Sequence, residues 1–411
     1  MKALVLGRGV SGRGAEELLR ELGFGVEFYE DGMELPSSFD FAVKSPGFSP
    51  EHRAVKEVLR RGKPLYGEVE LAYRFMAGRI VGVTGTNGKS TTTALIYYGL
   101  KAAGEEAFIG GNYGVPASSF ALKTGESSTS VLELSSFQIE DLKSFRGDVG
   151  AILNITPDHL NRYPSFKSYV DAKLKMLNHF DFNLLNRDDE ILREVRGEGI
   201  LYFGRERGGD FFFDGESLRD LSGAKIEVGE LPLKGVHNIE NYLCAFGVLR
   251  VLGLKEEEIY AGFKEFKGLP HRTEEVGRVG SVIFINDSKS TNIDSLKKAL
   301  LSFERVVLIA GGSDKGLDFT PLRPIVKERV EALVAIGETA GKLEEAFSGV
   351  TAVRRAQSLE EAVEEAFRAA REVGAPVLLS PGCASFDMFS NYKERGEAFK
   401  RAVKLLEERF G

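Results

Sequence analysis

The sequence has almost no cysteine or glutamine, no excess of positive charge and no long apolar run. Its 411 residues hold two cysteines, Cys244 and Cys383, far apart and in no metal-like spacing. That excludes a disulfide framework and a cysteine metal site, and leaves two small hydrophobes expected to be buried in a reducing compartment. The formal net charge of −7 excludes the extended basic face that nucleic acid requires. It still allows positive charge to gather locally around an anionic ligand. No apolar segment approaches the ~20 residues of a membrane helix. The run that starts at Met1 is cut by Gly7 and is too short for a secretory signal. A cytoplasmic protein without membrane or nucleic-acid partners is therefore expected. Glutamine occurs only at Gln138 and Gln357 among abundant Glu, Lys and Arg, a balance that leans toward thermophilic composition.

What is present is enough for several cores. Hydrophobic residues make up 43% and charged residues 28%, a globular balance over a length that suggests two or three domains. Residues 1–66 alternate strand and helix. Strands are expected at Ala3–Leu6, Val26–Tyr29 and Phe39–Val43, with a helical period over Ala15–Leu22. A second unit, 67–268, places strands at Ile80–Val83, Ser130–Leu132 and Val149–Ile155. It has helices at Ser90–Ala103 and Asn238–Leu252, and antiparallel hairpins are expected between Ile200 and Leu233. A third unit, 269–411, opens after Gly268-Leu269-Pro270, with strands at Val282–Ile285, Arg305–Ile309, Ala332–Ile336 and Val377–Leu379. Its helix keeps Leu359, Ala362, Val363, Ala366, Phe367 and Ala370 on one face. The class is α/β: a small Rossmann-like domain, a central phosphate-loop domain with a small antiparallel section, and a C-terminal Rossmann-like domain.

Between a strand and a helix stands Gly85-Thr86-Asn87-Gly88-Lys89-Ser90-Thr91. Glycines let backbone N–H groups turn toward a phosphate, and the helix N-terminus adds a favourable dipole. Lys89 can reach β- and γ-phosphates as a mobile charge, and the Ser90 hydroxyl can ligate Mg²⁺. The competing reading is a glycine turn with a chance lysine. Val83 stands where a general phosphate loop has glycine.

A second glycine signal, Gly7-Arg8-Gly9-Val10-Ser11-Gly12, follows the first strand, with Glu30 and Asp31 after the second. Alone it favours a dinucleotide site. The first unit holds only one mononucleotide-binding half, so a nucleoside-diphosphate anchor is the better reading, against a purely structural turn.

The central unit also places Glu133 at a strand's carboxyl end, where a metal ligand is wanted, and Asp158 and His159 on a loop after the next strand. Lys173 lies on a helix; its plain reading is a solvated surface lysine.

Taken together, Gly85–Thr91, Glu133-Leu134-Ser135-Ser136-Phe137-Gln138, Thr156-Pro157-Asp158-His159 and Ala172-Lys173-Leu174 resemble the Mur ligase family in order and spacing. The resemblance continues through Gly235-Val236-His237-Asn238-Ile239-Glu240-Asn241, His271-Arg272 and Asp287-Ser288-Lys289-Ser290-Thr291-Asn292 to Leu379–Phe389, across all three units. The Ser-Ser-Phe-Gln form, the N-terminal glycines and the Ser-Pro-Gly-Cys-Ala-Ser segment look like the member that adds D-glutamate. Two places depart from the family pattern: Glu30-Asp31-Gly32, and Ser313 where aspartate is usual.

The resemblance implies ATP and Mg²⁺ as cofactors, with UDP-N-acetylmuramoyl-L-alanine and D-glutamate as substrates of a monomer. It assigns the phosphates to Gly85, Thr86, Asn87, Gly88, Lys89, Ser90 and Thr91, and the nucleoside to Asn238 and Asn241. Arg272, Asp287 and Lys289 also serve ATP. Metal falls to Ser90, Glu133, His159 and a carbamylated Lys173, and Lys89, Glu133, His159 and Lys173 form the catalytic set. Gly9, Val10, Ser11, Ser45 and Asn112 would hold the UDP substrate. Thr291, Lys315, Ser385 and Tyr392 would hold D-glutamate.

Three rivals stand beside this reading. Folylpolyglutamate synthase lacks the N-terminal glycine unit, and an NAD oxidoreductase needs a longer first unit. A nucleotide-regulated binding protein leaves His159 and Lys173 unexplained.

Overall fold

A computed structural model describes residues 1–158, 162–314 and 316–410. Its strands form three sheets. The first joins β1 (Lys2–Leu6), β2 (Gly25–Tyr29), β3 (Phe41–Lys44) and β4 (Leu65–Gly67) in the order β2-β1-β3-β4, all parallel. Leu4, Leu6 and Ala42 pack with the helix Arg53–Arg60 on one face, and Ala3, Val5 and Val43 with the helix Val10–Glu21 on the other. Strands covered on both faces carry apolar runs, which made Ala3–Leu6 and Phe41–Val43 readable in sequence, whereas β4 was not expected.

The second sheet contains β5 (Arg79–Thr84), β6 (Ala107–Gly111), β7 (Thr129–Glu133), β8 (Gly147–Ile152), β9 (Phe180–Asn186), β10 (Ile200–Gly204), β11 (Phe211–Phe213), β12 (Ser217–Asp220) and β13 (Lys225–Glu227). Their order is β13-β12-β11-β10-β9-β8-β5-β7-β6. Between β8 and β7, β5 packs so closely that a side chain at Gly82 would stand 2.3 Å from the Phe180 ring. The hairpins expected over Ile200–Leu233 are only partly present. β10 runs parallel to β9 and to β11, and antiparallel pairing begins at β11–β12. The Asp210 carboxylate, accepting the Tyr202 N–H at 2.8 Å, helps hold β11 beside β10, where only two residue pairs align.

The third sheet, β14 (Glu274–Val279), β15 (Val282–Asn286), β16 (Val306–Gly311), β17 (Val330–Ile336), β18 (Ala352–Arg355) and β19 (Val377–Leu379), has the order β14-β15-β19-β16-β17-β18. Only β14 is antiparallel. The helix Leu359–Val373 buries the face expected from its period. Ser358 caps its start by accepting the Glu361 N–H, and Gly374 ends it at φ 65°.

The chain forms two compact units: Met1–Pro232 with His237–Phe266, and Leu233–Val236 with Lys267–Gly411. The first two sheets lie in the former. Cys244 and Cys383 are both buried and free, as expected. No helix among the described residues is long and apolar enough to cross a membrane.

Candidate functional site

In the first unit, β5 delivers the chain into the glycine loop. Gly85 sits at φ 152° and Gly88 at φ 87°, and a side chain on Gly88 would stand 2.4 Å from the Asn241 amide oxygen. The helix Lys89–Ala102 begins directly after, so the loop's N–H groups and the helix N-terminus combine as an anion site. Lys89 curls back over the loop and donates to the carbonyls of Gly85 at 2.9 Å and Thr86 at 2.8 Å. Asn241 accepts from the Thr92 hydroxyl at 3.3 Å and donates to Asn238 at 3.1 Å. Both asparagines thus stand behind the loop.

Lys173 is not a surface lysine. It is 2% exposed, and its Nζ donates to the Gly85 carbonyl at 2.9 Å and the Thr84 hydroxyl at 3.2 Å. Burial, reinforced by the charge of Lys89, pushes its amine well below the ordinary lysine range. A buried amine held toward its neutral form is nucleophilic, which a solvated lysine at neutral pH is not.

Glu133 ends β7 at 2% exposure. Its Oε1 accepts the Asn112 amide at 2.6 Å, while its Oε2 is buried without a hydrogen-bond partner. Asn112 approaches because Gly111, at φ 80°, has no side chain to meet the Glu133 carbonyl. Ser135 and Gln138 form a capping box that turns the strand straight into the helix Ser136–Glu140. An unpaired buried carboxylate oxygen beside a phosphate loop suits a hard cation, with Ser90 half-buried at the helix start. Among the described residues no three His, Cys, Asp or Glu side chains cluster as a metal site. His159, assigned to metal from sequence, and Lys315, assigned to D-glutamate, lie outside the described residues.

The N-terminal glycines form a second glycine turn that leads into a helix N-terminus. Gly7 turns at φ 94°, and a side chain at Gly12 would stand 1.9 Å from the Gly7 carbonyl. Gly9 precedes the helix Val10–Glu21, whose first turn contains no acidic residue and has no side-chain cap. The Ser45 hydroxyl faces the same turn, buried and without a partner. Open space lies in front of Gly9. On the ligand assignments that the family resemblance implies, Gly9→Val is expected to keep the fold and to weaken UDP-substrate binding at least tenfold, with ATP affinity unchanged. Calorimetric titration of each ligand checks this, and loss of ATP affinity instead would refute the division.

In the second unit, Arg395 is buried and gathers three segments. It donates to the Ser288 hydroxyl and carbonyl at 3.1 and 2.9 Å and to the Cys383 carbonyl at 3.1 Å. Lys289, Ser385 and Tyr392 belong to these segments, and the Lys289 ammonium lies 4.1 Å from the Tyr392 ring centre. Thr291 adjoins Ser290, whose carbonyl accepts the Gly382 N–H at 2.9 Å. Ser313 is tied to the Ala384 carbonyl through its N–H and to the Asp387 N–H through its hydroxyl, both at 2.9 Å. Asp287, after β15, accepts from the Ser380 hydroxyl and the Thr273 N–H, and burial pushes its carboxyl up to about 7. Arg272 lies between His271 at φ 64° and Thr273 at φ 48°, left-handed backbone that non-glycine residues hold only under constraint.

Two residues of the first unit were not assigned from sequence. Tyr169 places its hydroxyl 3.1 Å from that of Thr86, one turn before Lys173. Asn154 brackets Asn87. Spacing from Lys173 was the available signal for Tyr169; Asn154 carried none beyond lying in a strand-end motif.

The Mur ligase middle-domain model matches residues 83–249, and the Mur ligase glutamate ligase domain model matches 271–383. A UDP-N-acetylmuramoylalanine–D-glutamate ligase from Aquifex aeolicus is 40% identical, over 98% of this chain and 99% of its own. The chain belongs to the Mur ligase family. Another protein of the same name, from Salinibacter ruber, is 39% identical over 98% of both chains. The MurF ligase of Thermotoga maritima, solved in complex with ADP, shares the fold at TM-score 0.63 and 17% identity, covering 99% of this Mur ligase and 95% of itself.

Proposed function

We propose that this Mur ligase joins D-glutamate to UDP-N-acetylmuramoyl-L-alanine in an ATP-driven reaction through an acyl phosphate. The observation that carries the reading is the convergence of Lys89 and Lys173 on the Gly85 carbonyl, in the unit where Glu133 holds a buried unpaired oxygen. The names of the full-length relatives supply the substrates.

On this reading residues 1–66 hold the UDP group through Gly9, Val10, Ser11 and Ser45, with Asn112 from the central unit. Residues 67–268 hold ATP through Gly85–Thr91, Asn238 and Asn241, and residues 269–411 receive the amino acid. Arg272, Asp287 and Lys289 serve ATP; Thr291, Lys315, Ser385 and Tyr392 serve D-glutamate. The reading extends to a cytoplasmic monomer.

A carboxylate is a poor electrophile, so it is first converted into a mixed anhydride. The L-alanyl carboxylate oxygen attacks the γ-phosphorus, and the bond to the ADP oxygen breaks. Loop N–H groups and Lys89 neutralise the charge that develops on the phosphoryl oxygens. The D-glutamate amine then attacks the acyl carbon and loses a proton, and phosphate leaves from the tetrahedral intermediate. Holding both reactants in line converts two encounters into positioned steps. Ser90, Glu133, His159 and carbamylated Lys173 would hold Mg²⁺, which when bound offsets phosphate charge.

ADP formation should require UDP-N-acetylmuramoyl-L-alanine, D-glutamate and Mg²⁺ together, measured by coupled release of ADP. Equal turnover with L-glutamate, or with a folate acceptor, would overturn the reading.

A further inference from the structure

Beyond β5 and β8 the two chains keep pairing where regular strand has ended. The Leu153 N–H donates to the Thr84 carbonyl at 3.0 Å, and the Thr86 N–H to the Asn154 carbonyl at 2.9 Å. The Thr86 hydroxyl then accepts the Thr156 N–H at 3.0 Å and donates to the Thr156 carbonyl at 3.1 Å. Between these bonds the Asn154 side chain does what a neighbouring strand would do. Its Oδ1 accepts the Asn87 N–H at 2.9 Å and its Nδ2 donates to the Asn87 carbonyl at 3.1 Å. Gly85 has no room for a side chain here, since a Cβ would stand 3.0 Å from that of Leu153 and 3.3 Å from the Asn154 nitrogen.

The opposite edge of the same segment is held as well. The Asn186 amide donates to the Leu153 carbonyl at 2.9 Å, and the Asp189 carboxylate accepts the Ile155 N–H at 2.8 Å. Asp189 is itself fixed by the N–H groups of Ile191 and Leu192 at 2.9 and 3.0 Å. Residues 153–156 are therefore gripped alternately from front and back, and Asn154 is the side chain that reaches the phosphate loop at the peptide before Gly88. An amide is suited to this work, because it offers one acceptor and a donor at the spacing of a peptide's own N–H and C=O.

We propose that Asn154 is a positioning residue for nucleotide binding: it fixes the Asn87 peptide so that the loop's N–H groups and Lys89 are set for the phosphates before ligand arrives. The inference deepens the proposed ATP role of this loop and rests on it. Removing the amide leaves the strands, whose bonds lie elsewhere, and frees the two peptide groups that flank Asn87. Preorganisation lost in this way appears as weaker nucleotide binding with the UDP substrate unaffected.

The test is calorimetric titration of the intact protein with ADP in chelator-containing, metal-free buffer, and separately with UDP-N-acetylmuramoyl-L-alanine, for Asn154→Ala and Asn154→Asp. The aspartate variant retains an acceptor for the Asn87 N–H but offers no donor to the Asn87 carbonyl. Both variants should bind ADP at least tenfold more weakly than the native protein and bind the UDP substrate within threefold of it. ADP affinity within threefold of native in either folded variant would overturn the inference. So would parallel loss of both ligands, which marks general destabilisation. Native protein that binds no ADP refutes the nucleotide site itself, a separate outcome from equal binding by native and variant.

Discussion

Lys89→Ala is expected to abolish ligation while leaving the protein folded. The side chain is half-buried and contributes hydrogen bonds to two loop carbonyls rather than core packing. On the proposed function, its loss removes a mobile charge that would follow the γ-phosphoryl group from ATP to the acyl carboxylate. A drop in turnover of about a thousandfold or more, roughly 4 kcal/mol of barrier, is the expected size for such a group. Steady-state ADP release, with circular dichroism to verify the fold, checks it. Activity within about tenfold of native, only ~1.4 kcal/mol, would remove Lys89 from the phosphate role.

Lys173→Ala should be nearly as damaging, for a different reason. An ordinary lysine has a pKa of ~10.4, and holding it neutral at pH 7 in water costs about 4.6 kcal/mol. Burial and the neighbouring Lys89 already press this amine toward neutrality. Its lone pair can then attack the carbon of CO₂, and the nitrogen loses a proton to give a carbamate. The side chain changes from a cation that repels Lys89 and a metal to a long-stemmed anion that attracts both. The expected result is at least a hundredfold loss in the alanine variant, with part of the activity restored by acetate or another short carboxylate. Native protein equilibrated with ¹³C-labelled CO₂ should show one carbamate carbon resonance that the variant lacks. Full activity in carefully degassed, CO₂-free buffer, with no such resonance, would leave Lys173 a plain amine.

Sequence made these two lysines unequal. Lys89 was readable because glycine, lysine and hydroxyl at fixed spacing between strand and helix have a shared physical reason. Lys173 was not, since a lysine on a nine-residue helix looks solvated unless one knows which strand ends meet it. Only the fold brings β5, and with it Thr84 and Gly85, against that helix. The same limit applies to Asn154, whose role depends on residues 67 positions earlier in the chain.

The expected strands lie within about three residues of the observed ends, the largest error being Val149–Ile155 against β8, whereas β4, β6 and β9 were not expected. In the region after Ile200 the antiparallel pairing of β11, β12 and β13 was read correctly and the parallel pairing of β10 was not, because short aromatic runs do not reveal which neighbour they pair with. In the second unit, Arg395 ties the Ser288 and Cys383 segments to its own helix through backbone carbonyls, a role no spacing rule marks. Ser45 was marked in sequence by the family resemblance alone, and the fold adds that its hydroxyl is buried, unpartnered and beside Gly7 and Gly12.

On the proposed function, the substrate carboxylate is activated by direct phosphorylation in this site. Ligation of UDP-N-acetylmuramoyl-L-alanine labelled with ¹⁸O in both alanyl carboxylate oxygens tests it most directly, with the released phosphate and the amide product analysed by mass spectrometry. The account predicts one ¹⁸O atom in each phosphate and one retained in the new amide carbonyl. Phosphate released without label during productive ligation would contradict it.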